Sequence, residues 1–79
     1  MKLEVRWFAA FREATGVEHE AVEAEAETVS SLFEEMKKRH PRLASSRGAL
    51  VAINDEMTDW NSALSEGDRV MFFPPVAGG

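Results

Sequence analysis

The sequence has no cysteine among its 79 residues. This absence excludes disulfide bonds, thiolate metal sites and a cysteine nucleophile. No run of about 18 apolar residues occurs, so no segment is predicted to span a membrane. The first seven residues mix charged and apolar side chains, unlike a signal peptide. We therefore expect a cytoplasmic domain without membrane association.

Basic residues are also scarce, with 9 Lys and Arg against 14 Asp and Glu and a net charge of −5. Nucleic-acid binding is disfavoured, because phosphate contacts need clustered cations. An acidic surface is compatible with a partner that has a basic docking site. Simple solubility is the more ordinary explanation of the same charge.

Catalytic constellations are missing as well. The sequence contains no locally supported Ser/His/Asp set, no phosphate-cradling glycine loop and no marked carboxylate pair. His19 and His40 have no partner at a metal-ligand spacing, and His40 is better explained as a helix C-cap or a packed residue. A chain of this length has a small core and no room for a deep cleft. We expect no independent active site, no metal and no bound cofactor.

The amino-terminal third predicts a β-hairpin. Apolar and charged residues alternate over residues 2–8, which indicates a half-buried strand. Residues 11–15 form a short helical turn or a loop, and Gly16 can supply the positive φ that ends it. Residues 17–24 resume an extended pattern, with Glu18, His19 and Glu20 expected in solvent.

Residues 28–40 predict the main helix. Thr28 is a good N-cap, and Pro41 stops the helix. Basic residues in the last turn complement the helix dipole. One face carries the residues Val29, Leu32, Phe33, Met36 and His40 at helical spacing.

The carboxyl-terminal half predicts three shorter strands separated by turns. Pro74 and Pro75 end the last strand, because proline has no N–H to donate. One main helix across a mixed sheet of about five strands is an α+β fold of the β-grasp type. The helix crossover fits a parallel pairing of the first and last strands. The strands are a buried strand at 50–53, a weaker strand at 57–60 and a last strand at 69–73, with turns at 54–56 and 64–68.

The last strand is predicted to present its residues to both faces of the sheet. Val70 and Phe72 are assigned to the core. Met71 and Phe73 are assigned to the open face, where an exposed aromatic residue beside other apolar residues usually marks a binding site. We expect Phe73, Met71, Pro74 and Pro75 to contact a partner protein.

The chain then ends in two glycines. We expect residues 1–75 to form the domain and residues 76–79 (Val76, Ala77, Gly78 and Gly79) to form a flexible tail. The prolines stiffen the exit from the sheet, so that the tail projects. Glycines without Cβ allow such a tail to enter a narrow channel. The reach from Pro74 to Gly79 is at most roughly 20 Å.

Several stretches resemble one known family, the sulfur-carrier small subunits of molybdopterin synthase, which have a ubiquitin-like fold. The most specific stretch is the ending from Phe72 to Gly79, in which Phe-Phe-Pro-Pro-Val precedes Ala-Gly-Gly. The other matching stretches are Trp7-Phe8-Ala9, Arg12-Glu13 with Gly16, Thr28-Val29, Ala52-Ile53-Asn54, and the run from Leu64 to Val70.

The resemblance implies a mechanism centred on the terminal carboxylate. An adenylyltransferase related to ubiquitin-activating enzymes would use ATP and magnesium to adenylate Gly79, and a sulfur donor enzyme would convert the adenylate to a thiocarboxylate. The charged tail would then enter the molybdopterin synthase large subunit. There it would give sulfur to a cyclic pterin phosphate and so form the molybdopterin dithiolene.

Other uses of such a tail remain open. A sulfur carrier for thiazole synthesis shares the fold and the Gly-Gly ending, although such carriers usually lack the Phe-Phe-Pro-Pro lead-in. A ubiquitin-like modifier would be joined through Gly79 to lysines of target proteins. An inert interaction domain would not need its last two residues.

Overall fold

A computed structural model describes residues 1–75 of the chain. Five strands and two helices form one sheet with its covering layer, as the α+β prediction required. No helix in the range 1–75 is long and apolar enough to cross a membrane. The elements are β1 (Lys2–Trp7), α1 (Ala9–Thr15), β2 (His19–Glu23), α2 (Val29–Arg39), β3 (Leu50–Ile53), β4 (Glu56–Thr58) and β5 (Arg69–Phe73).

The sheet is mixed and has the strand order β2-β1-β5-β3-β4. The first and last strands pair in parallel, with Val5 opposite Val70, while the other pairs are antiparallel. The predicted parallel pairing of the chain's first and last strands is therefore confirmed. The same topology makes β5 the central strand.

Helix α2 covers one face of the sheet. Thr28 and Ser31 form a reciprocal capping box, in which the Ser31 amide donates to the Thr28 hydroxyl at 3.2 Å. The last turn carries only basic charge and ends at the C-cap His40. The buried residues of α2 are, as predicted, Val29, Leu32, Phe33 and Met36.

The core between α2 and the sheet is largely aromatic. Phe72 stacks between Trp7 and Trp60, with ring centroids at 5.2 Å and 5.7 Å. The ring of Phe33 meets the edges of the same cluster, 5.3 Å from Phe72. Offset stacks and edge contacts stabilise an aromatic cluster beyond the burial of its area.

Several turns use positive φ angles, among them the turns that follow α1 and β3. Gly16 ends α1 at φ 79° and donates its N–H to the Arg12 carbonyl. The segment predicted as a helical turn or a loop is thus a seven-residue helix. Asn54 and Asp55, at φ 51° and 71°, connect β3 to β4. Two consecutive positive φ angles are typical of the tight turns that match strand twist in hairpins.

Glu20 is half-buried, which corrects its predicted exposure to solvent. It lies opposite Val5 in the register and therefore on the core face. Its carboxylate accepts the Trp7 indole N–H at 2.8 Å and lies 2.7 Å from Nε2 of His40. A carboxylate on the core side is tolerated because polar groups at the end of α2 satisfy it.

Leu50 is 60% exposed, so the prediction that residues 50–53 are all buried is wrong at this position. Val51 is fully buried opposite Phe72, whereas Leu50 pairs with Phe73 on the other face. A short apolar run does not reveal which of its residues face the core, because the pairing register decides this.

The amino-terminal end of the sheet is fixed by the main-chain ammonium group of Met1. This group donates to the Ala24 carbonyl at 2.6 Å and lies 3.0 Å from the Glu23 carboxylate. The hydrogen bond to Glu23 raises the pKa of the Met1 ammonium group. Both contacts hold the start of β1 against the end of β2.

Candidate docking face and tail exit

Strand β5 leads from the centre of the sheet to the tail. Val70 and Phe72 are 0% exposed and point into the core, while Met71 and Phe73 are half-buried on the face away from α2. The predicted division of β5 between its two faces is confirmed. We call the face opposite α2 the open face.

Register places further apolar side chains beside Met71 and Phe73 on the open face. Phe73 lies opposite Leu50, and Met71 lies opposite Ala52, which in turn lies opposite Met57. Leu50 and Met57 are among the most exposed large apolar residues of the domain, at 60% and 59%. With Phe8, they form what we call the apolar patch: Phe8, Leu50, Met57, Met71 and Phe73.

Phe8 joins the patch by stacking on Phe73. The two ring centroids lie 4.6 Å apart with an angle of 21° between the planes. Phe8 follows β1 with an extended backbone, so that it points away from the core residue Trp7. Phe8 and Phe73 are both half-buried, so part of each side chain stays accessible to a partner.

Sequence reasoning missed Phe8, Leu50 and Met57 as patch residues. Met57 was seen only as part of a weak strand, and Leu50 was expected in the core. One signal in the sequence bears on Leu50. Residues two apart in a strand share a face of the sheet, so Leu50 and Ala52 are expected on the same face. That signal becomes useful only once Ala52 is known to lie opposite Met71.

The exit of the tail lies beside the loop before β3. Pro74 is half-buried and Pro75 is exposed. A methyl group in place of the Gly48 α-hydrogen would lie 3.3 Å from Cβ of Pro75, and Gly48 has φ 77°. A glycine at position 48 thus allows both the left-handed turn and the close approach of Pro75. Val76, Ala77, Gly78 and Gly79, the residues of the predicted tail, lie outside the described range.

One concavity of the described domain has neither Gly48 nor Pro75 in its lining. It is an open depression of about 500 Å³ next to the start of α2. Its lining mixes carboxylates with one cation, Lys38. Within residues 1–75, no group of three or more His, Asp or Glu side chains is placed to hold a metal ion. The features that single out one region are therefore the apolar patch and the adjacent tail exit.

A family model described as the ThiS family matches residues 5–79, which includes both the patch and the terminal glycines. The chain belongs to the ThiS family. A relative from Escherichia coli, named molybdopterin synthase sulfur carrier subunit, is 38% identical over 98% of this chain and 99% of the relative. The resemblance inferred from the ending and the internal motifs is thereby confirmed.

Solved structures related to this family member have the same fold. SAMP1 from Haloferax volcanii has a TM-score of 0.84 and 27% identity, with all of both chains covered. A complex of subunits 1 and 2 of the molybdopterin-converting factor from Helicobacter pylori gives a TM-score of 0.68 and 28% identity, again over both whole chains. The predicted ubiquitin-like β-grasp fold is confirmed by these neighbours.

Proposed function

We propose that the chain is the sulfur carrier subunit of molybdopterin synthase and that the Gly79 carboxylate carries the sulfur. The observation that carries this proposal is the 38% identity to a protein of that name over nearly the whole of both chains. The family match also extends through Gly79. The tail exit next to an apolar patch fits a carrier that docks by the patch and inserts its end into the partner.

The proposed chemistry begins with activation of Gly79. A free α-carboxyl group has a pKa of about 3.5, so it is ionised and a poor acyl donor at neutral pH. In a separate adenylyltransferase that uses magnesium, a carboxylate oxygen of Gly79 attacks the α-phosphorus of ATP and displaces pyrophosphate, which leaves an acyl-adenylate. Sulfur at the sulfide level, supplied by a donor enzyme, then attacks the acyl carbon and displaces AMP. The product is a thiocarboxylate, whose sulfur anion is nucleophilic.

The remaining chemistry belongs to the partner. A domain of 79 residues has little room for a deep cleft of its own, so the large subunit supplies the pterin site and its proton transfers. Two transfers onto a cyclic pterin phosphate complete the dithiolene. In each transfer the sulfur bonds to the pterin, and water then cleaves the bond between the sulfur and the acyl carbon, which releases the carrier with a free Gly79 carboxylate. Gly78 and Ala77 provide the slender approach to the pocket, and Val76 links them to the prolines. All of these steps are cytoplasmic.

Intact-mass measurement of the protein from its native cells tests this proposal. We expect a fraction of the chains to carry sulfur in place of one oxygen, and fragmentation should locate the exchange at Gly79. The fraction should rise when the large subunit is deleted, because the charged carrier is then not consumed. A carrier that contains only oxygen under both conditions would contradict the proposal.

Replacing Phe73 with Ala should weaken binding to the large subunit by about 1–2 kcal/mol, which is the effect of a hot-spot residue. The unfolding free energy should change less, because Phe73 is only half-buried. A binding titration and a melting curve of the isolated domain measure the two effects. Val17→Ala is the control, since Val17 is exposed and apolar but lies outside the patch. Equal affinities of the Phe73 and Val17 variants would remove Phe73 from the interface.

A second candidate function is protein modification through Gly79. The neighbour SAMP1 from Haloferax volcanii covers all of this chain. A second structure of the H. volcanii protein gives its full name as small archaeal modifier protein 1. Both uses share activation of the carboxylate and differ only in the acceptor. Lysine-linked Gly-Gly remnants on cellular proteins, lost when Gly79 is deleted, would identify the modifier use. The name of the E. coli relative favours molybdopterin synthesis over the thiazole alternative.

A further inference from the structure

Arg6 extends from β1 onto the open face, at the border of the apolar patch. Its register partners are Met71 of the patch on one side and His19 on the other. Arg6 is half-buried, unlike Lys2 and Glu4, which lie on the same face of β1 and are exposed. Part of the Arg6 side chain is therefore already covered by its neighbours on the open face, as is common for the apolar stem of an arginine.

No carboxylate in residues 1–75 forms an ion pair with Arg6 within 4.0 Å. Its cross-strand neighbours carry no negative charge, and Glu4, two residues away on the same face, lies opposite Arg69. Arg69 differs from Arg6 in having its own partner, because its guanidinium lies 3.2 Å from Asp55. Arg6 is thus a cation on the open face whose partner is not supplied by the described domain.

A partner that covers the apolar patch would also withdraw Arg6 from water. Burial of an unpaired charge costs several kcal/mol, unless an opposite charge with hydrogen bonds compensates it. Arginine is well suited to such a role, because its planar fork binds a carboxylate through two hydrogen bonds. The interface can therefore form tightly only if the partner presents an acceptor at this position.

We propose that Arg6 is a specificity-determining residue of the docking face and that it pairs with a carboxylate of the large subunit. This inference rests on the proposed function. The patch supplies apolar area that many surfaces could cover, whereas Arg6 rejects surfaces without an acidic side chain opposite β1. The pairing also fixes the orientation of the carrier, since Arg6 lies on the β2 side of the patch and Leu50 and Met57 lie on the other.

Replacing Arg6 with Met tests the inference, because the Kd for the large subunit should rise only if a carboxylate of the partner faces Arg6. Met keeps the apolar stem and removes the charge, so a carboxylate of the partner would be left buried without a cation. We expect the Kd for the large subunit to rise roughly 30-fold, as when one member of a buried charge pair is truncated. Arg6→Glu should raise it further, and Arg6→Lys should restore part of the affinity. Lys2→Met is the matched control, because Lys2 lies on the same face of β1 at its other end, and it should bind like the wild type.

Other outcomes separate this inference from the function on which it rests. If Arg6→Met binds as tightly as the wild type or more tightly, no carboxylate faces Arg6 and the inference is wrong, while the sulfur-carrier function stands. If the wild type itself does not bind the large subunit, both are wrong. Melting curves of all four variants show whether each remains folded, and the Lys variant keeps the test decisive if the Met variant unfolds. Restoration of the binding of Arg6→Glu by an Asp→Arg or Glu→Arg change in the large subunit would locate the partner of Arg6.

Discussion

Deletion of Gly79 is expected to abolish sulfur transfer and to leave the melting temperature of the domain unchanged. Transfer should be lost because the proposed reaction takes place on the Gly79 carboxylate, and a chain ending at Gly78 would be one residue too short for the partner's pocket. Stability should be kept because, within residues 1–75, the last buried apolar residue is Phe72, seven positions before Gly79. Dithiolene formation with the activating enzyme, sulfur donor and large subunit measures the first effect, and a thermal melt measures the second.

The control for this deletion is Glu27→Gln. It removes an exposed carboxylate near the start of α2, at a distance from the tail exit, and should change neither measurement. A truncated chain that still transfers sulfur at the wild-type rate would exclude Gly79 as the reacting residue. A large fall in its melting temperature would show instead that the last residue belongs to the folded core.

Replacing Leu32 with Ala is expected to destabilise the domain by about 2–5 kcal/mol, because the truncation leaves a cavity where the side chain packed. Leu32 is 0% exposed between α2 and the sheet. Domains typically have only about 5–15 kcal/mol of stability in total, so a large part of it would be lost. A chemical denaturation curve measures this as a lower midpoint at an unchanged slope. Phe33→Ala should have a similar or larger effect, since its ring contacts four other aromatic rings.

Leu50→Ala provides the matched comparison. It removes the same atoms from a side chain that is 60% exposed on the open face, and surface changes usually alter stability by less than about 0.5 kcal/mol. The two Leu variants therefore separate the core face from the docking face by stability alone. Similar denaturation midpoints for both variants would mean that the side of the sheet covered by α2 has been wrongly assigned.

The elements with strong local signals could be predicted from the sequence. Helix α2 has a cap at Thr28, apolar residues at helical spacing and a stop at Pro41, and all of these agree on the same boundaries. The last strand was also predicted with its faces, because Pro74 fixes its end and Val70 is a common core residue. In both elements, several independent local signals agree on the type and the bounds of the element, and such agreement makes a prediction from sequence dependable.

The remaining features depend on pairing between distant segments. Leu50 could not be placed from its own strand, because its side of the sheet is set by pairing with Phe73. Glu20 looked like an ordinary surface carboxylate, because its partners Trp7 and His40 are 13 and 20 residues away in sequence. The patch and the unpaired state of Arg6 appear only when four strands are assembled in register. Tertiary contacts of this kind leave no local pattern in a single sequence.

The parallel pairing of β1 and β5 has a practical consequence. Two adjacent parallel strands start at the same edge of a sheet, so that the beginning of β1 and the end of β5 lie at opposite edges, roughly 20 Å apart for a strand of this length. A purification tag, a fused enzyme or a solid support attached ahead of Met1 would therefore lie at the opposite end of the sheet from Pro75, and it would replace the ammonium group that contacts Ala24 and Glu23. Carriers tethered in this way, many to one scaffold, would all turn the Pro74–Pro75 end of the sheet away from that scaffold.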